Sequence, residues 1–357
     1  MGIKNLNNFL KKKNLCIKTH LSKYKKHIIA VDANVYLYKY LYGNKNHING
    51  LFFMINKLKK YKIKPVFIFD GKPPDEKLQT ITVRKLQKKK KQMTIAKLEN
   101  EINSSYIDSD IFLLKKKLKN LQKQVIYITD EVINDSKKLF DVMGIGYIEA
   151  DCEAEHYCSK LCRLGLVNAV LSEDTDTIAC GSNIVLREFS NKSDYVLEYN
   201  LNTILYELDV NYKSFIDICI LMGNDYNNKI KHLNTEHILE LIHTHKTIEN
   251  IIKTGGIKYI KYNYKDIRAI FNLLSITPDI NTFNLQLNKK VIKYKIKEFL
   301  HKYSDIDKKV YDSRIDLMYN FSSDKYKKST YNIGDSLNKM YLKHNNTTYS
   351  KFSFNKL

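Results

Sequence analysis

Pro65-Val66-Phe67-Ile68-Phe69-Asp70 sets a run of large apolar side chains directly before one carboxylate, with Gly71, Pro73 and Pro74 close behind. A short apolar run bounded by turn residues is the pattern of a strand buried on both faces. The same design occurs twice more. His27 to Val31 forms an apolar stretch ending at Asp32, and Ala169 to Leu171 runs into Ser172-Glu173-Asp174. Helical patterns lie between and after these runs, at Val35 to Leu41, Leu51 to Tyr61, Asp135 to Met143, Glu153 to Leu164 and Lys213 to Leu221. Gly144 and Gly146 stop the third of them, and Gly146 to Glu149 reads as extended. Strands alternating with helices predict an α/β fold, a mostly parallel twisted sheet flanked by helices.

The chain has 357 residues, room for one large domain or two ordinary ones. No apolar run reaches the roughly 18 residues of a membrane span, so no membrane association is expected. Lys11, Lys12 and Lys13 interrupt any signal-peptide core, and Leu6 stands where a myristoylation signal needs Ser or Thr. An intracellular protein is therefore expected. Its six cysteines then read as free thiols. Cys152, Cys158, Cys162 and His156 lack a C-x-x-C pair, and Cys158 with Cys162 fits one helix face, which favours buried thiols over zinc. Sixty Lys and Arg against 38 Asp and Glu leave a formal charge of +22. A solvated lysine coat would give the same excess, but such a chain is drawn to a polyanion, with nucleic acid the leading candidate.

Residues 1–250 carry the alternating pattern, divided into an N-terminal part (1–75), a basic helical insertion (76–124), and an internal part with a second acidic cluster (125–228). The insertion holds the lysine runs 88–91 and 115–117, and Asn103-Ser104-Ser105 marks a break in it. Residues 251–320 read as a basic helical C-terminal part and 321–357 as a flexible tail.

A few acids sit where a core has no use for them. Asp32 and Asp70 terminate strands. Asp174 and Asp176 follow a third strand at i,i+2, which in extended chain points both the same way. Strand carboxyl ends are where open α/β sheets build sites. Glu153 and Glu155 open a helix, splayed about 200° apart at helical spacing, and Asp225 follows an apolar helix beside Gly223. Each alone reads as a helix cap or turn former. Seven together would repel unless cations neutralise them. Oxygen ligands favour Mg²⁺ or Mn²⁺ over zinc, and two such ions about 4 Å apart serve phosphodiester hydrolysis. An acidic nest in a basic protein points to a nuclease.

Six segments carry a resemblance: Met1-Gly2-Ile3-Lys4-Asn5-Leu6, Ala30-Val31-Asp32-Ala33, Phe69-Asp70-Gly71-Lys72-Pro73-Pro74, Glu149-Ala150-Asp151-Cys152-Glu153-Ala154-Glu155, Ser172-Glu173-Asp174-Thr175-Asp176-Thr177 and Leu221-Met222-Gly223-Asn224-Asp225-Tyr226. Their order and spacing resemble the flap endonuclease/XPG family of structure-specific 5′ nucleases, and the opening is also similar to members from large DNA viruses. The resemblance implies a 5′-nuclease fold with a basic helical arch over the site. It also implies Mg²⁺-dependent incision of 5′ flaps or branched DNA, with two ions per site and Mn²⁺ able to substitute. Asp32, Asp70, Glu153, Glu155, Asp174, Asp176 and Asp225 match the metal-site carboxylates. The first four would hold mainly one ion and the last three the other. Lys77 and Arg84 match the arch's basic pair at the scissile phosphate, with Asp174 central to catalysis. Tyr38 matches an aromatic that stacks a base near the cut, Gly2 a processed N-terminus near the site, and Lys88 and Lys89 lie on the DNA-binding arch.

The chain departs from the family at Lys231-His232-Leu233-Asn234-Thr235-Glu236-His237, the counterpart of a glycine-rich helix–two-turn–helix (229–250 here), which has no glycine. The duplex grip is expected to be remodelled, and a potassium ion is not expected there. No clamp-binding pattern occurs in 321–357, so sliding-clamp binding is not expected, and a monomer is. The same chemistry also serves a 5′ exonuclease, a Holliday-junction resolvase or an RNA-directed nuclease. A non-catalytic branched-DNA scaffold is the rival of another class, disfavoured because seven acids repel phosphate. The compartment, nucleus or cytoplasmic viral replication site, stays open.

Overall fold

Strand β2 (Ile28–Asp32, after α1, Leu6–Lys12, and β1, Ile17–His20) shows why the sheet forms where it does. Ile29 and Val31 point into one apolar layer and Ala30 into the other, the two-residue period of a strand covered on both faces. In β3 (Lys64–Phe69) Val66 and Ile68 face the layer of Ala30, and Phe67 and Phe69 that of Ile29 and Val31. The computed structural model of the chain describes residues 2–322, apart from 45, 105–107, 231, 258–259, 261, 274, 288–290 and 292. Of the flexible tail expected over 321–357, residues 321–322 end a helix, while 323–357 and Lys231 lie outside the described residues.

The chain then forms β4 (Gly146–Glu149), β5 (Ala169–Leu171), β6 (Ile184–Arg187) and β7 (Tyr195–Asn200). The sheet order is β1-β7-β6-β5-β2-β3-β4. The five strands from β6 to β4 run parallel, while β7 pairs antiparallel with β6 and β1 antiparallel with β7. Mostly parallel is thus the observed sheet, with a mixed edge that the apolar runs did not announce. β2 lies between β3 and β5, so the chain builds outward on one side of it and then on the other. That is a topological switch point, where a crevice opens at the strand carboxyl ends.

Helices α2 (Ala33–Asn44), α3 (His47–Lys60) and α6 (Asp130–Met143) cover one face. Gly144 ends α6 at φ 61, a left-handed turn that spares the cap a Cβ clash. Between α3 and α6 stands the basic insertion, α4 (Leu78–Ser104) and α5 (Asp108–Lys123), packed on each other. The helical break expected at 103–105 falls at the end of α4.

On the opposite face lie α1, α7 (Ala154–Arg163), α8 (Asp176–Ala179), α9 (Leu201–Glu207) and α10 (Tyr212–Met222). Helices α11 (Thr235–His245), α12 (Ile248–Lys253) and α13 (Tyr264–Asn272) extend that layer. Helix α14 (Ile280–Leu287) runs beside the edge strand β4, where Tyr147 N–H donates to Gln286 Oε1 at 3.1 Å and blunts the open edge. Helices α15 (Lys293–Tyr303) and α16 (Lys308–Ser322) pack back on α6 and α3. Among the described residues no helix is long and apolar enough to cross a membrane.

Candidate active site

Every strand-terminal acid singled out in the sequence lies at the carboxyl end of its strand, and the crevice gathers them. Asp32 ends β2 and also caps α2, accepting from Val35 N–H at 3.1 Å and from the Ser172 hydroxyl at 2.8 Å. Asp70 follows β3 and accepts from Ala154 N–H at 2.8 Å, the open first turn of α7, and from Asn34 Nδ2 at 2.6 Å. The helix-cap reading of these residues is therefore also satisfied. It does not exhaust them, because each leaves carboxylate lone pairs facing the crevice.

Two local expectations are corrected. Glu153 and Glu155 are not splayed: Glu153 is the extended residue before α7 (φ −67, ψ 141), so helical spacing does not apply to it. Both glutamates reach the same point, with ligand atoms of Glu153, Glu155 and His156 within 4.8 Å of one another. Asp174 and Asp176 are not on extended chain either. Thr175 is helical, Asp176 opens α8, and Asp174 Oδ1 accepts from Asp176 N–H at 3.0 Å. A tight turn, not a strand, brings the two carboxyls together.

The electrostatics tie all seven into one cluster. Burial pushes Asp32 well up, helped by Glu155 and Asp70. Asp176 is likewise raised by burial and then by Asp174, Glu155 and Asp225. Burial and Glu155 push Asp174 up to about 6. Glu155 is raised chiefly by burial. Asp70 is raised by crowding among protein atoms and by Glu153, even though its side chain stays open to solvent at the rim. Glu155, neighbour to acids on every strand end, is the hub.

Among the described residues two cations pair with them. Lys77, in the short turn Asp75–Lys77 before α4, is buried with its ammonium on Glu153 and 3.5 Å from both Glu155 and Asp225. Burial opposes its charge, but Glu155, Glu153 and Asp225 outweigh that and hold it protonated. Arg84 Nη2 lies 2.7 Å from Asp225 Oδ1, and the Thr80 hydroxyl donates to the Asp225 carbonyl at 2.6 Å. The i,i+7 pair thus meets over one acid. Seven carboxylates against two cations leave the cluster short of positive charge.

Asp176 exposes that shortage. It is fully buried (0% exposed), and neither carboxyl oxygen has a hydrogen-bond partner among the described residues. A buried charge with no partner costs several kcal/mol in a dry site, so this carboxylate is built for a cation from outside. Gly2 closes the same corner at φ 81. A Cβ there would strike the Asp174 carboxyl and lie 2.8 Å from Asp176 Oδ1, so only glycine fits. The donor set suits a hard divalent ion, since each of the seven acids offers carboxylate oxygens. His156 Nε2 is engaged, lying 3.0 Å from Tyr226 Oη. Burial keeps its pKa low. Cys158 and Cys162 sit in the apolar layer as free thiols.

Other candidates fall nearby. Tyr38 is on the surface, 38% exposed, not in the core. Its hydroxyl and the Ile126 carbonyl both accept from Lys88 Nζ, at 2.6 and 2.8 Å, stapling α4 to α2. Lys89 is exposed on α4. Past Tyr226, His232 takes φ 72, the left-handed conformation that glycine would supply, and Asn234 caps α11 through His237 N–H at 2.7 Å. Glu236 reaches Lys12 at 3.4 Å. The sequence reading missed Tyr226, whose hydroxyl donates to Glu153 Oε2 at 2.8 Å, along with Asn34, Thr80 and Ser172. Tyr226, beside Asp225, and Ser172, two residues before Asp174, had a local signal, and Asn34 and Thr80 did not.

A parallel sheet whose strand ends converge on an acidic nest, with basic side chains above it, defines a 5′-nuclease-like hydrolase of phosphodiester bonds. The XPG N-terminal domain matches residues 1–92 and the XPG I-region residues 144–225. Flap endonuclease 1 of Entamoeba dispar is 33% identical over 312 residues, covering 81% of this chain and 80% of the relative. The structure is similar to flap endonuclease-1 from Methanococcus jannaschii (TM-score 0.63, 26% identity, 86% and 96% of the two chains). It shares its fold with human GEN1, solved with Holliday junction DNA (TM-score 0.63, 20% identity, 90% and 78%). The chain belongs to the flap endonuclease/XPG family of structure-specific 5′ nucleases, whose members are metal dependent.

Proposed function

We propose that the chain uses Mg²⁺ to cut 5′ flaps or branched DNA, in replication, repair or recombination. The observation that carries this is Asp176, a fully buried carboxylate with no hydrogen-bond partner among the described residues, in a cluster with six other acids. Bound divalent ions, with Mn²⁺ able to replace Mg²⁺, would supply an activated water and neutralise charge on the attacking and leaving oxygens. The carboxylates hold and space the cations. Lys77 and Arg84 enter from the base of α4 and present fixed positive charge to a phosphate, which is catalysis by prearranged electrostatics. For that, Lys77 must leave its glutamates. Glu153 and Glu155 would then be free to hold a cation, so release of Lys77 and metal binding would be linked.

Tyr38, exposed beside the insertion, offers a ring for an unpaired base. At His232 the turn forms without glycine, so a side chain stands where glycine would leave the backbone open, which supports a remodelled duplex grip. Incision of an end-labelled flap with and without Mg²⁺, mapped to the nucleotide and run beside nicked, four-way and RNA substrates, tests the reading. Cleavage near the flap base only with Mg²⁺ is expected. Strong flap binding with no metal-dependent product would leave a scaffold instead.

A further inference from the structure

Glu153 divides its two oxygens between unlike partners. Oε1 pairs with the Lys77 ammonium, and Oε2 accepts from Tyr226 Oη at 2.8 Å. A tyrosine hydroxyl has one proton, and here it is given to the carboxylate. The contact between Tyr226 Oη and His156 Nε2, at 3.0 Å, therefore needs its hydrogen from the imidazole. The order of donation is His156 Nε2–H to Tyr226 Oη, then Tyr226 O–H to Glu153 Oε2. All three side chains are buried. Tyr226 is held from below, its ring edge-on to Phe271 at 5.8 Å and its N–H bonded to Asn224 Oδ1 at 2.9 Å.

We propose that His156 and Tyr226 are positioning residues of the metal centre, a relay that keeps Glu153 aimed at a divalent cation when Lys77 moves off it. The inference rests on the metal-dependent reading above. Oε1 is the exchangeable oxygen, shared in turn by Lys77 and the ion, while Oε2 stays fixed. Without the relay a glutamate with three rotatable bonds would have to be ordered at the moment of binding. Partners of this kind behind a ligand carry about 10- to 100-fold in metal affinity. The relay also spans the two halves of the site. His156 lies on the first turn of α7 next to Glu155, and Tyr226 follows Asp225 directly, so one pair of hydrogen bonds fixes the distance between loops that carry ligands of different clusters.

The rival explanation is that two buried polar groups merely satisfy each other. It predicts lower stability in variants and unchanged metal affinity. Titration of Mn²⁺ into the full-length, DNA-free protein, followed by electron paramagnetic resonance, separates the two. Tyr226→Phe and His156→Leu are expected to weaken Mn²⁺ binding about 10-fold. His156→Gln, whose amide N–H can still donate to the tyrosine, is expected to stay within about 3-fold of wild type. Should His156→Leu fail to fold, Tyr226→Phe and His156→Gln decide the matter. Mn²⁺ affinity in Tyr226→Phe equal to that of a wild type that binds Mn²⁺ and cuts flaps overturns the relay alone. A wild type that neither binds Mn²⁺ nor cuts overturns the metal-dependent reading and the relay with it.

Discussion

The molecule buries acids in two places and treats them in opposite ways. In the C-terminal layer Asp217 of α10 is fully buried (0% exposed), yet every oxygen is matched. Arg268 of α13 donates to its Oδ1 from Nε at 2.8 Å and lies in an ion pair with it, Nη2 to Oδ1 2.7 Å, and Ile248 N–H donates to Oδ2 at 3.2 Å. The rest of the guanidinium is taken by Glu249, at 2.8 and 3.2 Å. At the strand ends Asp176 is just as deeply buried, and among the described residues its carboxyl oxygens have no hydrogen-bond partner. Burial of a carboxylate therefore does not by itself mark a site. What marks it is an interior that withholds the partner and leaves the neutralisation to something that binds.

The largest expected effect lies in the unmatched cluster. Asp174→Asn should cut flap-incision turnover by at least about 100-fold while flap binding persists, measured by single-turnover cleavage beside a gel-shift assay. Near-wild-type cleavage would remove Asp174 from the chemistry. In the matched cluster the loss should be of stability. Arg268→Ala strands Asp217 without a partner and is expected to cost about 3–5 kcal/mol in urea unfolding. Its metal affinity should stay as in wild type.

Stability changes of opposite sign come next. Asp176→Asn removes an uncompensated buried charge, so the metal-free protein should gain roughly 1–2 kcal/mol in urea unfolding even as activity disappears. The smallest effect is in the pH dependence. Asp32, Asp70, Glu155, Asp174 and Asp176 have folded pKa values raised above their unfolded ones, with Asp174 at about 6. Between the unfolded value near 4 and the raised folded values, the folded state binds more protons, so metal-free stability falls as pH rises. The melting-temperature advantage of Asp176→Asn over wild type should accordingly widen from pH 5 to pH 7.5. Glu249 behaves the other way. The Arg268 hydrogen bond pulls it down to about 2 despite burial, so its contribution is complete above about 4.3 and fades as pH falls toward 2.

The strand ends were legible because a buried parallel strand announces itself as an apolar run, and an acid that follows one has few ordinary uses. That local signature placed Asp32, Asp70 and Asp174 correctly at the crevice. It could not give the edge. β1 (Ile-Lys-Thr-His) and β6 are four residues each, three of the four in β1 are polar, and β1 is fixed by pairing with β7 from far along the chain. Spacing rules also failed at element boundaries. Glu153 sits one residue outside α7 and Asp176 one inside α8, so helical and extended geometry were each applied where the chain had already changed conformation. Tyr226 and His156 are 70 residues apart, and their hydrogen bond has no trace in either neighbourhood.

Whether the crevice is a cradle for divalent cations is tested most directly by thermal melting at pH 7.5 with and without Mg²⁺, for wild type and Asp176→Asn side by side. An ion that binds only the folded state raises its melting temperature. The account predicts a clear rise for wild type and little or none for the variant. Equal rises in both, or no rise in wild type at saturating Mg²⁺, would contradict it.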